Sequence, residues 1–327
     1  MKTFCFESGA IKDAQQFSAK RFVILYFNPL EYTIRFFLYL TMICPLQTEA
    51  PGMNPTLKLI FLIIFFIGMA MVVLSRFYVF FEQQYALKKK KPLFLNAIVF
   101  SNKISDTQLQ ILKSKFSFYN RLNNKEQDIF RHRIATFINT KTFVGRESIV
   151  PTDEMKTLIA STAVMLTFGF RNYLIDIIET IIIYPKSYYS QINETYHKGE
   201  TNPQLKAIVF SWQDFELGYK IGDDNLNLGI HEFGHAIHLN AFRNDDISSL
   251  IFNQGFENLT NYLHKHETIR QDLITSKYFR AYAYTNHFEF FAVLLENFIE
   301  TPIEFKSQFP ELYSYLKQML NFKLLGY

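Results

Sequence analysis

The sequence predicts an α+β domain, mostly helical with a small sheet, preceded by one helix long enough to cross a membrane. Three observations carry this. An uncharged apolar block runs from Leu59 to Ser75 and resumes after Arg76 as Phe77-Tyr78-Val79-Phe80-Phe81. Behind it, segments with apolar residues at helical spacing are interrupted by only two β-branched runs. Finally, 49% of residues are hydrophobic, with 36 Phe and 19 Tyr, which is enough for a large core without covalent staples.

Taken in order, residues 1–55 form an N-terminal segment with no clear element. Phe22 to Leu46 is apolar but broken by Asn28-Pro29, Glu31 and Arg35, which makes it a poor span. Met53-Asn54-Pro55-Thr56-Leu57-Lys58 reads as a natural start for an anchored protein, so residues 1–52 are expected to lie outside the native mature sequence. Residues 56–81 are the expected transmembrane helix, since residues 59–81 rise about 35 Å, the span of a hydrocarbon core. Arg76 sits near its end, where a long side chain snorkels to the interface. Arg76 and Lys88 to Lys91 outweigh Lys58 on the other flank, so the positive-inside rule places the following chain in the cytoplasm. The expectation is a single-pass protein of the inner (cytoplasmic) membrane. A cleaved signal peptide, with Gly68-Met69-Ala70 as a weak cleavage site, is the rival that the trailing lysines argue against.

Residues 82–104 read as a basic linker, and residues 105–327 as one domain. Lys125 to Asn139 carries Ile129, Phe130, Ile134, Phe137 and Ile138 at helical spacing behind Asn123-Asn124 as caps. Asp153 to Phe168 is a second helix, stopped at Gly169. Ile177 to Tyr184, ending at Pro185, and Ala207 to Trp212 read as strands. Leu226 to Leu239 and His287 to Ile299 complete the helices. The net charge of +4 is largely the Lys88 to Lys91 run, which leaves no broad basic face and no direct nucleic-acid binding. Both cysteines, Cys5 and Cys44, precede the apolar block, so a metal in the domain must be held by His, Glu or Asp.

The chemistry centres on His231-Glu232-Phe233-Gly234-His235. Histidines four apart lie one helical turn apart on one face and reach the same tetrahedral zinc, with Glu232 beside them as general base. Leu226, Leu228, Ile230, Phe233 and Ile237 make this helix largely buried, where three such polar groups are costly without a metal. The other His-Glu pair, His266-Glu267, has Arg270 where a second histidine would be needed. A catalytic zinc takes a third protein ligand and leaves one position open. The candidates are Glu257, Glu267, Glu289, Glu296, Glu300, His238 and His287; spacing alone does not separate Glu257 from Glu289.

These residues resemble the Mlc titration factor A family of zinc-dependent peptidases. The likeness runs through Asn227-Leu228-Gly229-Ile230-His231-Glu232-Phe233-Gly234-His235, then Ala281-Tyr282-Ala283-Tyr284 and Glu289-Phe290-Phe291-Ala292-Val293-Leu294. Weaker echoes at Ile183-Tyr184-Pro185, Ile208-Val209-Phe210 and Gln308-Phe309-Pro310-Glu311-Leu312 extend it over roughly residues 105–318. The two specific segments are also similar to the catalytic domain of anthrax lethal factor. The resemblance implies a zincin-like fold and one zinc held by His231, His235 and Glu289. It also implies a role for Tyr282 as donor to the oxyanion, and aminopeptidase-like hydrolysis of short peptides or proteins. Both relatives carry an aspartate three residues after the second histidine where this chain has His238, so any orienting role of that aspartate must be met differently here. Strand Ala207 to Trp212 is the expected substrate-pairing edge. The alternative implied by the family is a membrane-held regulatory protein that binds and sequesters a transcriptional repressor. Glu232 argues against it, because a pure binder needs no general base. A purely structural zinc site is disfavoured because such sites close with four protein ligands.

Overall fold

The computed structural model describes residues 54–95, 101–190 and 194–322. The chain forms two compact units, residues 1–75 and 76–327. The expectations for residues 1–52, including Phe22 to Leu46, lie outside the described residues.

Helix α1 (Pro55–Lys89) contains the apolar block. Asn54 opens it, its side-chain oxygen accepting from Thr56 N at 3.1 Å. The helix is long and apolar enough to cross a membrane, and none of its most apolar stretch is buried. Its residues Leu59 to Ile67 expose their side chains, the opposite of what a soluble core helix does. The helix runs past Phe81 to Lys89, so the start of the expected basic linker is helical. Glu82-Gln83-Gln84-Tyr85-Ala86-Leu87 holds no glycine or proline, and the chain leaves the helix only at Lys90, whose φ is 53°. Within the second unit this end is packed: Glu82 pairs with Arg171, and Ala86 clusters with Ile247 and Ile251.

The second unit begins with helices α2 (Asp106–Lys115), α3 (Ser117–Arg121) and α4 (Asn124–Thr140). Asn123 and Glu126 close a reciprocal capping box at the start of α4, as the sequence predicts. Strand β1 (Thr142–Gly145) leads to α5 (Asp153–Leu166). Buried Arg133 of α4 donates to the carbonyls of Thr167, Phe168 and Phe170, satisfying the chain where α5 ends.

Strands β2 (Thr180–Tyr184), β3 (Tyr188–Ser190), β4 (Thr195–His197), β5 (Gly199–Asn202) and β6 (Ala207–Ser211) follow. The main sheet has the order β1-β2-β6-β5, with β1, β2 and β6 parallel and β5 antiparallel to β6; β3 and β4 form a separate hairpin. Every residue of β6 is buried, as a strand flanked on both sides requires. This corrects the expected substrate edge: β6 lies between β2 and β5, its ladder positions are taken, and the outer strand on that side is β5. Trp212 does not extend β6 but starts α6 (Trp212–Lys220), because the Ser211 side chain caps that helix.

Helices α7 (Leu228–Arg243), α8 (Ile247–Lys265) and α9 (Glu267–Thr275) come next. A 3-10 turn (Ala281–Tyr284), α10 (His287–Glu300), α11 (Pro302–Gln308) and α12 (Pro310–Met319) complete the unit. Ile230, Phe233 and Ile237 of α7 and Phe291, Leu294 and Leu295 of α10 are buried in one core. The two helices run close at Gly234, where a Cβ would meet the Ala292 Cα at 3.4 Å, an ordinary van der Waals contact. That approach sets the two helices that carry the site side by side.

Candidate metal centre

Asn227 caps α7, its side chain accepting from Ile230 N at 3.1 Å. One turn separates His231 from His235, and their Nε2 atoms face each other at 3.1 Å. On α10, the Asn286 side chain accepts from Phe288 N and Glu289 N, which fixes Glu289 in the first turn. Glu289 Oε2 then lies 3.1 Å from His231 Nε2, and Oε1 lies 3.5 Å from His235 Nε2. One ligand atom from each of the three residues falls within 4.8 Å of the others.

The donor set fits a metal ion. Glu289 Oε2 is buried and makes no hydrogen bond, even beside His231. On the far side of the ring, His231 Nδ1 stands 2.6 Å from Glu296 Oε1, a separation that places a proton on Nδ1. Nε2 is left with its lone pair aimed at Glu289 and His235. Two imidazole nitrogens and a carboxylate therefore converge on one point, a donor set that a divalent cation satisfies. Burial alone lowers the His231 pKa, yet Glu289 and Glu296 raise it to about 9, so the site attracts a positive charge, which either a proton or a cation can supply. Burial raises the Glu289 carboxyl, but His231 and His235 hold it well below the ordinary carboxylate range.

Glu232 points from the same helix toward β5. Thr201 Oγ1 lies 2.9 Å from both Glu232 Oε2 and the Glu232 carbonyl oxygen, donating to the carboxylate. Gly199 passes so near that a Cβ would lie 2.8 Å from Glu232 Cγ and Oε1. Burial raises the Glu232 carboxyl above its ordinary range, against the lowering pull of His235, His231 and Thr201. That shift suits a base working near neutral pH. Tyr282 is half exposed, its ring centroid 6.1 Å from that of His231. Burial first, then the charge and hydrogen bond of Glu289, push its phenol up to about 12.

The other candidates lie elsewhere or do other work. Glu257 faces outward on α8 and accepts from Gln254. Glu267 is exposed beside Arg270, and Glu300 accepts from Asn227 Nδ2. His287 packs against Phe288. His238 is fully buried among Phe242, Phe252, Phe256, Phe288 and Phe291, with neither ring nitrogen hydrogen-bonded. Burial, then His287 and His235, hold its pKa well below the usual value, so it is a neutral aromatic filler and orients no ligand. Among these candidates it is Glu296 whose carboxylate meets His231 Nδ1, at 2.6 Å, on the side of the ring away from Glu289. Its place seven residues after Glu289, two turns along the same face, was the available signal. Thr201, Gly199 and Arg280 had none.

Comparison with known proteins gives the family. A protein of Synechocystis sp., itself uncharacterized, is 24% identical over 230 residues, covering 64% of this chain and 81% of the relative. Residues 86–321 match the glucose-regulated metallo-peptidase M90 family, a stretch that holds the whole His-His-Glu trio together with Glu232 and Tyr282. With a family match over more than half its length, the chain belongs to the M90 metallopeptidases, the family of Mlc titration factor A.

Proposed function

We propose that the chain is a zinc-dependent peptidase with a zincin-like catalytic domain, Glu232 as general base and α1 as its membrane anchor. The observation that supports this most is the convergence of His231, His235 and Glu289 within 4.8 Å, beside the buried carboxylate of Glu232. His231 Nε2, His235 Nε2 and the Glu289 carboxylate would hold the zinc. When bound, zinc supplies Lewis acidity that polarises a peptide carbonyl and lowers the pKa of water.

The remaining steps belong to the chain's own groups. Glu232, its pKa raised by burial, takes a proton from the attacking water and passes it to the leaving amine. Thr201 holds that carboxylate in place between the two transfers. Tyr282, beside Glu289, donates to the developing oxyanion of the substrate. A peptide laid along β5 would gain main-chain hydrogen bonds with little sequence preference, since β5 is an outer strand of its sheet among the described residues and lies against Glu232. That lack of sequence preference is consistent with the aminopeptidase-like action on short peptides implied by the family resemblance. A buried carboxylate held beside the metal-binding trio favours an enzyme over a protein that acts by binding a repressor alone.

Anchoring by α1 places the domain at the cytoplasmic face of the inner membrane, with Lys88 and Lys89 in the last helical turn as the basic flank. The decisive experiment on the chemistry is Glu232→Gln. The variant is expected to retain zinc at the wild-type ratio and lose peptide hydrolysis by at least about 100-fold. Wild-type turnover by the zinc-loaded variant would refute the mechanism.

A further inference from the structure

We propose that Arg280 and Glu296 form a positioning pair that fixes the tautomer and angle of His231 and thereby sets the metal affinity of the centre; this rests on the peptidase reading above. Glu296 is wholly buried on α10, two turns beyond Glu289, so one helix supplies a ligand and the group that aims another ligand. Its Oε1 takes two donors, His231 Nδ1 at 2.6 Å and Arg280 Nη2 at 2.9 Å, while Oε2 takes Arg280 Nη1 at 2.6 Å. Both terminal nitrogens of the guanidinium thus grip one carboxylate, leaving it a single remaining job as acceptor for the imidazole.

The pairing answers a physical problem. A carboxylate withdrawn from water is costly unless its charge is matched and its lone pairs are occupied. The arginine does both, and its planar fork also fixes the plane of the carboxylate, which a lysine cannot do. A fixed carboxylate accepts only from a protonated Nδ1, so the Nε2 lone pair is turned toward Glu289 and His235. Arg280 ties in two more parts of the site. Its Nη1 donates to the Asn225 carbonyl at 2.8 Å, in the loop leading to α7. Its backbone carbonyl accepts from Ala283 N in the turn that carries Tyr282. Glu296 is wholly buried and reaches the centre through His231 Nδ1, so the pair acts through His231.

The test uses the full chain in detergent and two conservative variants, Arg280→Lys and Glu296→Gln. Zinc affinity is measured by competition with a chromogenic chelator, and the visible absorption of the cobalt(II)-substituted protein reports ligand geometry. Loss of an orienting partner to a metal-bound histidine weakens binding by about 10- to 100-fold, and that range is expected for both variants. The cobalt bands should shift or lose intensity while the far-ultraviolet circular dichroism stays unchanged. If Arg280→Lys fails to fold, Glu296→Gln, nearly isosteric, carries the same decision. Wild-type zinc affinity and an unchanged cobalt spectrum in a folded variant would overturn the proposal and leave the pair a structural contact. A wild-type chain that binds no zinc would instead overturn the peptidase reading, a separate result visible before any variant is made.

Discussion

Replacing Gly199 with alanine tests whether β5 positions the general base. Gly199 lies opposite Phe210 in the β5–β6 ladder, and it has no positive φ, so its backbone accepts alanine. The added methyl is the entire perturbation. Its Cβ would lie 2.8 Å from Glu232 Cγ, 2.8 Å from Glu232 Oε1 and 2.8 Å from Leu228 Cδ1, where ordinary contact begins at 3.4 Å. The strand is held by β6 and the Glu232 backbone by α7, so the carboxylate is the part free to yield. It must retreat by roughly 1 Å and slacken its bond from Thr201, and misplacement on that scale costs about 100-fold in rate. That is about 2.7 kcal/mol of transition-state stabilisation. The assay is kcat and KM on a fluorogenic peptide, with zinc content and thermal midpoint measured on the same sample. A fall in kcat of two orders, with zinc and midpoint near wild type, is the expected result. Full kcat in the zinc-loaded variant would refute the reasoning. Loss of zinc along with activity would refute it equally, by showing that the strain runs into the ligands rather than the base.

Glu289→Ala should empty the centre of zinc while Glu257→Ala keeps it; metal analysis giving the reverse would mean that the wrong helix had been credited with the third ligand. An epitope tag after Tyr327 should resist protease added outside sealed cells and stay with the membrane fraction; a tag digested from outside would reverse the topology. Stability should also depend on pH through Glu300. Burial, partly offset by the Asn227 hydrogen bond, together with Asp224 and Glu296, raises its carboxyl from 4.5 to about 7. The folded state then keeps a proton that the unfolded chain releases, so this group's contribution to stability falls as pH rises from about 4.5 to about 7. Glu300→Gln should become more stable relative to wild type across that window, by about 1 to 2 kcal/mol once its partial exposure to solvent is discounted. A difference in urea midpoint that does not change between pH 5 and pH 8 would rule this out.

What the sequence disclosed, and what it hid, follows the range of each interaction. The histidine pair and Glu232 were legible because a spacing of four on a helix is a local relation that needs no knowledge of the rest of the chain. Glu257 and Glu289 were not separable, because both are carboxylates on helices beyond His235 and only packing decides between them. The close packing of α7 on α10 at Gly234 and Ala292 brings the first turn of α10 to the histidines, while Glu257 turns outward on α8. The continuation of α1 beyond Phe81 is invisible to apolarity, because the apolar block ends there, but charge does not end a helix and Lys90 with its positive φ does.

The strand beside the base was the hardest to see. Gly199-Glu200-Thr201-Asn202 has no apolar alternation and low β-propensity, so by pattern it reads as loop, while the apolar Ala207 to Trp212 reads as the strand that matters. The sheet inverts that ranking. A strand apolar enough to announce itself is apolar because it is covered on both sides, and β6 is for that reason closed to a substrate. The strand that can meet both solvent and the site must give up core residues for a glycine that permits close approach and a threonine that can donate. Local sequence rules fail at β5 for the same physical reason that it lies against Glu232.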